Sequence, residues 1–246
     1  MTKSYFNQIK LPNRPTKNVT YYQAIDWNQI EDQLDKETWE KLTSQFWLDT
    51  RIPVSNDLAD WRQLSETERD VVNKAFVGLT LLDTLQSEEG ANVMRDDIRT
   101  QQEEAILNNI LFMESVHAKS YSTIFISLND RHQIDEIFDW GNTNDQLQYK
   151  AKVINQIYQT GNPLQKKIAS VFLETFLFYS GFFTPLWYLG NAKLENVAEV
   201  IKLIIRDESV HGTYLGYKFQ LAYRELDQEA QYETCLLYTS LMARGR

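Results

Sequence analysis

Glu114-Ser115-Val116-His117 and Glu208-Ser209-Val210-His211 repeat the pattern Glu-x-x-His and use two of the three histidines in the chain. On a helix of about 3.6 residues per turn, positions i and i+3 share a face, so each copy points a carboxylate and an imidazole at one place. A single copy reads as ordinary helix-surface polarity. Two further acids change that reading. Asp83 closes the apolar run Val77-Gly78-Leu79-Thr80-Leu81-Leu82-Asp83, and Glu174 sits inside Val171-Phe172-Leu173-Glu174-Thr175-Phe176-Leu177-Phe178. Helical packing places both in the core, where an unpartnered carboxylate is driven neutral at considerable cost. Two divalent cations would supply the partner. Four carboxylates and two neutral imidazoles around two such ions sum to zero charge, which suits an apolar interior. One acid from each of two helices, with Glu-x-x-His from each of two more, is the ligand set of a carboxylate-bridged dinuclear centre in a four-helix bundle. Oxygen-rich ligands with imidazole suit iron or manganese, and no thiolate ligand suggests zinc.

Tyr121 follows His117 by four residues and therefore lies one turn along the same face. A phenol beside an oxidising dimetal centre can give up one electron, and the resulting radical persists only where water and reductants are excluded. Phe178 and Phe182, four and eight residues after Glu174, and Ile204, four before Glu208, offer an apolar wall. On spacing alone, core packing is the better reading for all four, Tyr121 included. His132, in Asp130-Arg131-His132, lies outside the constellation and reads as a solvated loop histidine.

The elements that must position these groups are long helices. The spacing predicts helices over 26–47, 65–97, 100–128, 130–140, 144–160, 163–189 and 195–226. A capping box of Ser65 and Glu68 opens the second. Pro163 opens the sixth, and Gly181 and Pro185 are expected to kink it. Residues 1–20 read as an extended arm. Nine glycines and five prolines in 246 residues favour such helices over strands and turns. The length suits one domain, 1–246, with a sizeable core.

A formal net charge of −9 without a basic stripe argues against nucleic-acid binding. Cys235 is the sole cysteine, so no intrachain disulfide forms and the expected location is cytoplasmic. Residues 1–10 carry no signal-peptide pattern. The apolar stretch 171–190 is long enough to span a membrane, but Glu174 makes a buried helix the better reading.

These segments resemble the small (beta) subunit of class Ib ribonucleotide reductase, from about Tyr5 to Glu225. The resemblance is carried by Gln45-Phe46-Trp47 with Ile52-Pro53-Val54-Ser55-Asn56-Asp57, by Leu79-Thr80-Leu81-Leu82-Asp83-Thr84-Leu85-Gln86-Ser87, by Met113 through Tyr121, and by Arg206-Asp207-Glu208-Ser209-Val210-His211. It implies an all-α, ferritin-like bundle in which Asp83, Glu114, His117, Glu174, Glu208 and His211 bind a dimanganese or diiron centre. It further implies that Tyr121 is the radical tyrosine in a pocket of Phe178, Phe182 and Ile204. Trp47, Asp207 and His117 are then the relay that carries the oxidising equivalent toward the surface. The implied partners are a large alpha subunit that reduces ribonucleotides, a second copy of the chain, and, for manganese, a flavodoxin-like activator. Metal storage of ferritin type, an O2-activating oxidase on the same scaffold, and a module that has lost catalysis are the competing readings. Storage needs no buried relay, an oxidase would want a substrate channel, and retention of all six ligands argues against lost catalysis. Family members continue past this point into a flexible docking tail. The stretch 235–246 does not resemble that tail, so Tyr238 is not given its relay role. The expectation is a C-terminally truncated chain that builds the metal site and couples poorly to the alpha subunit.

Overall fold

The computed structural model describes residues 24–244, all of them helix, turn or loop with no strand; the arm expected over 1–20 lies outside the described residues. Eleven α-helical segments follow one another among them. They are α1 (Gln33–Ser44), α2 (Leu58–Gln63), α3 (Glu66–Leu85), α4 (Ala91–Val93), α5 (Gln101–Leu128), α6 (Arg131–Thr143), α7 (Asp145–Thr160), α8 (Pro163–Phe172), α9 (Phe178–Gly190), α10 (Glu195–Arg224) and α11 (Gln228–Arg244). Four long elements make the central bundle: α3, α5, the α8–α9 pair and α10. Helix α3 packs on α5 and α9, while α10 packs on α8, α9 and α5. Around them, α6 and α7 cover α3, α1 lies against α5 and α10, and α11 rests on α8. The all-α, ferritin-like expectation holds.

Most helix starts are written locally. Ser65 and Glu68 form the expected capping box, and Asp130 with Gln133 and Asn162 with Gln165 form two more. Thr100 caps α5 by accepting from the Glu103 amide at 3.1 Å. The first helix is shorter than the predicted 26–47. Asp26 turns its carboxylate onto the Asn28 amide at 2.8 Å, an Asx-type turn that competes with helix, and Asp32 is the true cap, accepting from Leu34 N at 3.0 Å. The helix predicted over 65–97 is regular only to Leu85. A π turn, Gln86–Gly90, then α4 and a 3-10 turn, Met94–Asp97, complete it. His132 is the second residue of α6, not a loop residue, though it is solvated as expected and lies 3.4 Å from Glu136 Oε2.

The break in the helix predicted over 163–189 falls at Leu173–Leu177, a π turn holding Glu174, and α9 runs through Pro185. Such single π turns insert one residue into the helical register and re-aim the side chains around them. At Gly181 a Cβ would lie 2.7 Å from Leu79 Cγ and Cδ2, so its absence lets α9 approach α3. Pro163–Gly190 is long and apolar enough to cross a membrane, yet 56% of its most apolar window is buried inside the protein, as befits a bundle helix.

Helix α10 is the exception to local capping. Its N-cap residue, Leu194, has φ 52° and no capping side chain. Asp57, from a 3-10 turn at Val54–Asp57 that the sequence did not announce, does the capping at long range. Its carboxylate accepts from Asn196 N at 3.1 Å, Asn196 Nδ2 at 2.6 Å and Val197 N at 2.7 Å. Asp57 is buried, so Asp57→Ala leaves two helix amides without acceptors and is expected to destabilise the protein by about 1–3 kcal/mol. A thermal melt matching the parent's would refute that assignment.

Candidate dinuclear metal centre

The bundle brings all six sequence-predicted ligands together. Asp83 comes from the end of α3, Glu114 and His117 from mid-α5, Glu174 from the π turn between α8 and α9, and Glu208 and His211 from mid-α10. Each is at most 1% exposed. They form two overlapping sets: Asp83, Glu114, His117 and Glu208 in one, and Glu114, Glu174, Glu208 and His211 in the other. Within each set the candidate ligand atoms all lie within 4.8 Å of one another. Glu114 and Glu208 belong to both sets, which is the arrangement bridging carboxylates require.

His117 Nδ1 is 2.9 Å from Glu208 Oε1 and 3.6 Å from Glu114 Oε2. His211 Nδ1 is 2.8 Å from Glu114 Oε1, 3.6 Å from Glu208 Oε2 and 3.7 Å from Glu174 Oε2. Both imidazoles thus turn the same nitrogen inward. Both oxygens of Asp83 and of Glu208, with one each of Glu114 and Glu174, are buried without a hydrogen-bond donor aligned on them. Buried carboxylate oxygens without donors cost too much to persist for structural reasons alone, and cations satisfy them. The donor set therefore fits two divalent ions.

Electrostatics describe the same crowding. Burial, then repulsion from Glu114 and Glu208, pushes the carboxyls of Asp83 and Glu174 well above the usual range. Burial also opposes charge on Glu208, but the adjoining Glu174 carboxyl and the His117 and His211 imidazoles outweigh it and hold Glu208 below the usual range. For His117 and His211, burial disfavours the imidazolium, yet the surrounding carboxylates overcome that and raise both.

Asp207, one residue before Glu208, sits on the far side of His117. Its Oδ2 accepts from Trp47 Nε1 at 2.6 Å and lies 3.1 Å from His117 Nε2. The indole and imidazole rings stack at 5.9 Å and 22°. A carboxylate on Nε2 fixes the imidazole tautomer and leaves Nδ1 free to ligate. Gln45 escaped the residue-by-residue reading: its Nε2 donates to Asp207 Oδ1 at 2.9 Å, and the Arg206 guanidinium holds its backbone carbonyl. Only its place beside Trp47 in the sequence hinted at this.

Tyr121 is fully buried, and its hydroxyl has no hydrogen-bond partner among the described residues. Burial first, then the charges of Asp83, Glu208 and Glu114, raise its pKa well above the ordinary phenol value. Its ring lies 5.7 Å from that of Phe76. Phe178, Phe182 and Ile204 are buried in the same apolar cluster.

A helical bundle enclosing two carboxylate–imidazole nests with shared acids defines a ferritin-like dimetal carboxylate protein. Residues 24–242 match the family described as ribonucleotide reductase, small chain. The ribonucleoside-diphosphate reductase subunit beta nrdF1 of Mycobacterium tuberculosis is 49% identical over 231 residues, which are 92% of this chain and 72% of that one. The ribonucleoside-diphosphate reductase 2 subunit beta of Escherichia coli is 52% identical over 197 residues, 80% of this chain and 62% of that one. The crystal structure of dimanganese(II)-NrdF from Streptococcus sanguinis superposes with a TM-score of 0.86 at 69% identity, covering 89% of this chain and 79% of that one. The chain belongs to the ribonucleotide reductase small-chain family, in its class Ib branch. Its place is that of a beta subunit, working with an alpha subunit, with a dinuclear iron or manganese centre and a tyrosyl radical.

Proposed function

We propose that the whole chain acts as one ferritin-like domain that generates and stores a radical on Tyr121 for ribonucleotide reduction by the alpha subunit. The observation that carries this reading is the pair of nests sharing Glu114 and Glu208, joined through His117 to Asp207 and Trp47. Asp83, Glu114, His117 and Glu208 would hold one metal ion, and Glu114, Glu174, Glu208 and His211 the other. When bound, the dinuclear centre supplies the oxidising equivalent for a one-electron oxidation. Tyr121 loses that electron as a neutral phenol, since its raised pKa keeps it protonated; no carboxylate is hydrogen-bonded to the hydroxyl, so the proton must cross to one of the nearby acids Asp83, Glu208 or Glu114 as the electron leaves. Phe178, Phe182 and Ile204 keep the pocket dry. Asp207 binds indole and imidazole on one oxygen, so charge leaving or entering at Trp47 is balanced by a proton shift along the same contacts.

Manganese is the metal favoured by the likeness to the Streptococcus sanguinis protein, and a flavodoxin-like activator would then provide the oxidant. The working form is a cytoplasmic homodimer, for which the exposed, stacked rings of Phe46 and Phe112 offer apolar surface. Metal storage is the lesser reading, because a ferritin needs neither the Trp47–Asp207 contact nor a buried tyrosine.

The test is an EPR spectrum after anaerobic Fe2+ loading and exposure to O2. A tyrosyl signal is expected. Bound iron with no radical, persisting when manganese and the activator are supplied, would move the chain to an oxidase or storage role.

A further inference from the structure

Gln86 is 1% exposed, an amide buried three residues past Asp83 at the start of the π turn Gln86–Gly90. Its Nε2 donates to Glu174 Oε1 at 2.5 Å and to Ser170 Oγ at 2.7 Å. Its Oε1 accepts from Tyr158 Oη at 2.6 Å. The amide can face only this way, because a ligating carboxylate accepts hydrogen bonds and cannot donate them. Tyr158 and Ser170 are themselves fully buried, so the amide is held on both ends.

The surroundings are shaped for it. A Cβ at Gly90 would lie 2.0 Å from Gln86 Oε1, 2.7 Å from its Cδ and 3.2 Å from Tyr158 Cε2. Any larger residue at position 90 would expel the amide from its place. The π turn at one end of the contact, Gln86–Gly90, meets the π turn at the other, Leu173–Leu177, so both register shifts converge on a single hydrogen bond.

The consequence falls on one carboxylate. With Oε1 engaged by Gln86, Glu174 keeps Oε2 free of hydrogen bonds, 3.7 Å from His211 Nδ1. Glu174 belongs to the nest of Glu114, Glu208 and His211 and not to the nest of Asp83 and His117. We propose that Gln86, held by Tyr158 and Ser170 in the space left by Gly90, is a positioning residue that presents Glu174 to one metal through a single oxygen and sets the affinity of that position alone. This rests on the dimetal reading above.

The experiment is an Mn2+ titration of the metal-free full chain, reading free Mn2+ by EPR, with thermal melts in parallel. Gln86→Leu removes the donors at similar volume, and Gly90→Ala displaces the amide without deleting it. The parent is expected to take up two Mn2+ per chain. Every variant that melts cooperatively should keep one at parental affinity and bind the other roughly 10–100-fold more weakly, the usual effect of losing a group that orients a ligand. Two sites at parental affinity in such a variant, or equal weakening of both, overturns the proposal. So does failure of both variants to fold, which would make the contact structural. A parent that binds fewer than two ions overturns the dimetal reading and the positioning role with it, whereas an intact parent with indifferent variants overturns the positioning role alone.

Discussion

Tyr121→Phe is expected to abolish the tyrosyl EPR signal entirely while leaving two metal ions bound per chain. The ring that fills the core remains, so the packing around Phe76 and the buried cluster is unchanged. The lost hydroxyl has no hydrogen-bond partner among the described residues, and a buried polar group without one contributes nothing favourable to folding. The melting temperature should therefore stay at the parental value or rise slightly. Two readouts on one variant, signal and stoichiometry, separate the redox role from a structural one. A signal that survives would transfer the radical to another site, and Tyr158, a second buried tyrosine, linked to the ligand set through Gln86, would be the first suspect.

The second large effect is on metal affinity as a function of pH. In metal-free protein, Asp83 and Glu174 have carboxyl pKa values raised by burial and by Glu114 and Glu208, so they hold protons at pH values where free acids have lost them. His117 and His211 are raised as well, carboxylates outweighing burial, and hold a second proton on the ring. Metal ligation requires the deprotonated form of all four. Binding therefore releases protons, up to one from each of Asp83, Glu174, His117 and His211. Each released proton makes the apparent affinity rise about tenfold per pH unit. The sign is fixed: raised pKa values in the free protein mean weak binding at low pH and tightening as pH rises toward them, with the slope fading above. The logarithm of the Mn2+ association constant should therefore climb as pH rises through the range in which these raised groups lose their protons. A pH-independent constant, or a pH-stat experiment that finds no acid released on metal addition, would show that the cluster is already ionised and balanced by something else.

Much of the site was legible because its chemistry follows helix geometry. Glu114 with His117 and Glu208 with His211 are i, i+3 pairs, and the period alone orients them inward. Asp83 and Glu174 stood out as charges in apolar runs, an arrangement that is too costly without a partner. The fold class followed from the same periodicity. Trp47 and Asp207 were not reached this way. They are separated by 160 residues, and only resemblance to a family paired them before their 2.6 Å contact was seen. The helix α11, Gln228–Arg244, went unread because its sequence resembled no expected ending, although Asp227 accepting from Ala230 N at 2.9 Å marks an ordinary helix start.

The sequence by itself determined which side chains must leave water together, since burial cost and helical period act on residues close in the chain. It also determined most helix starts, because Ser65, Thr100, Asp130, Asn144 and Asn162 cap with their own neighbours. Only the tertiary structure decided which acids are shared between the two nests, that Asp57 caps the distant helix α10, and that Gln86 reaches Glu174 across two π turns. Those outcomes depend on how rigid helices lean on one another. A shift of one residue in register, or a missing Cβ at Gly90 or Gly181, moves a ligand by ångströms without altering the local pattern that a sequence displays.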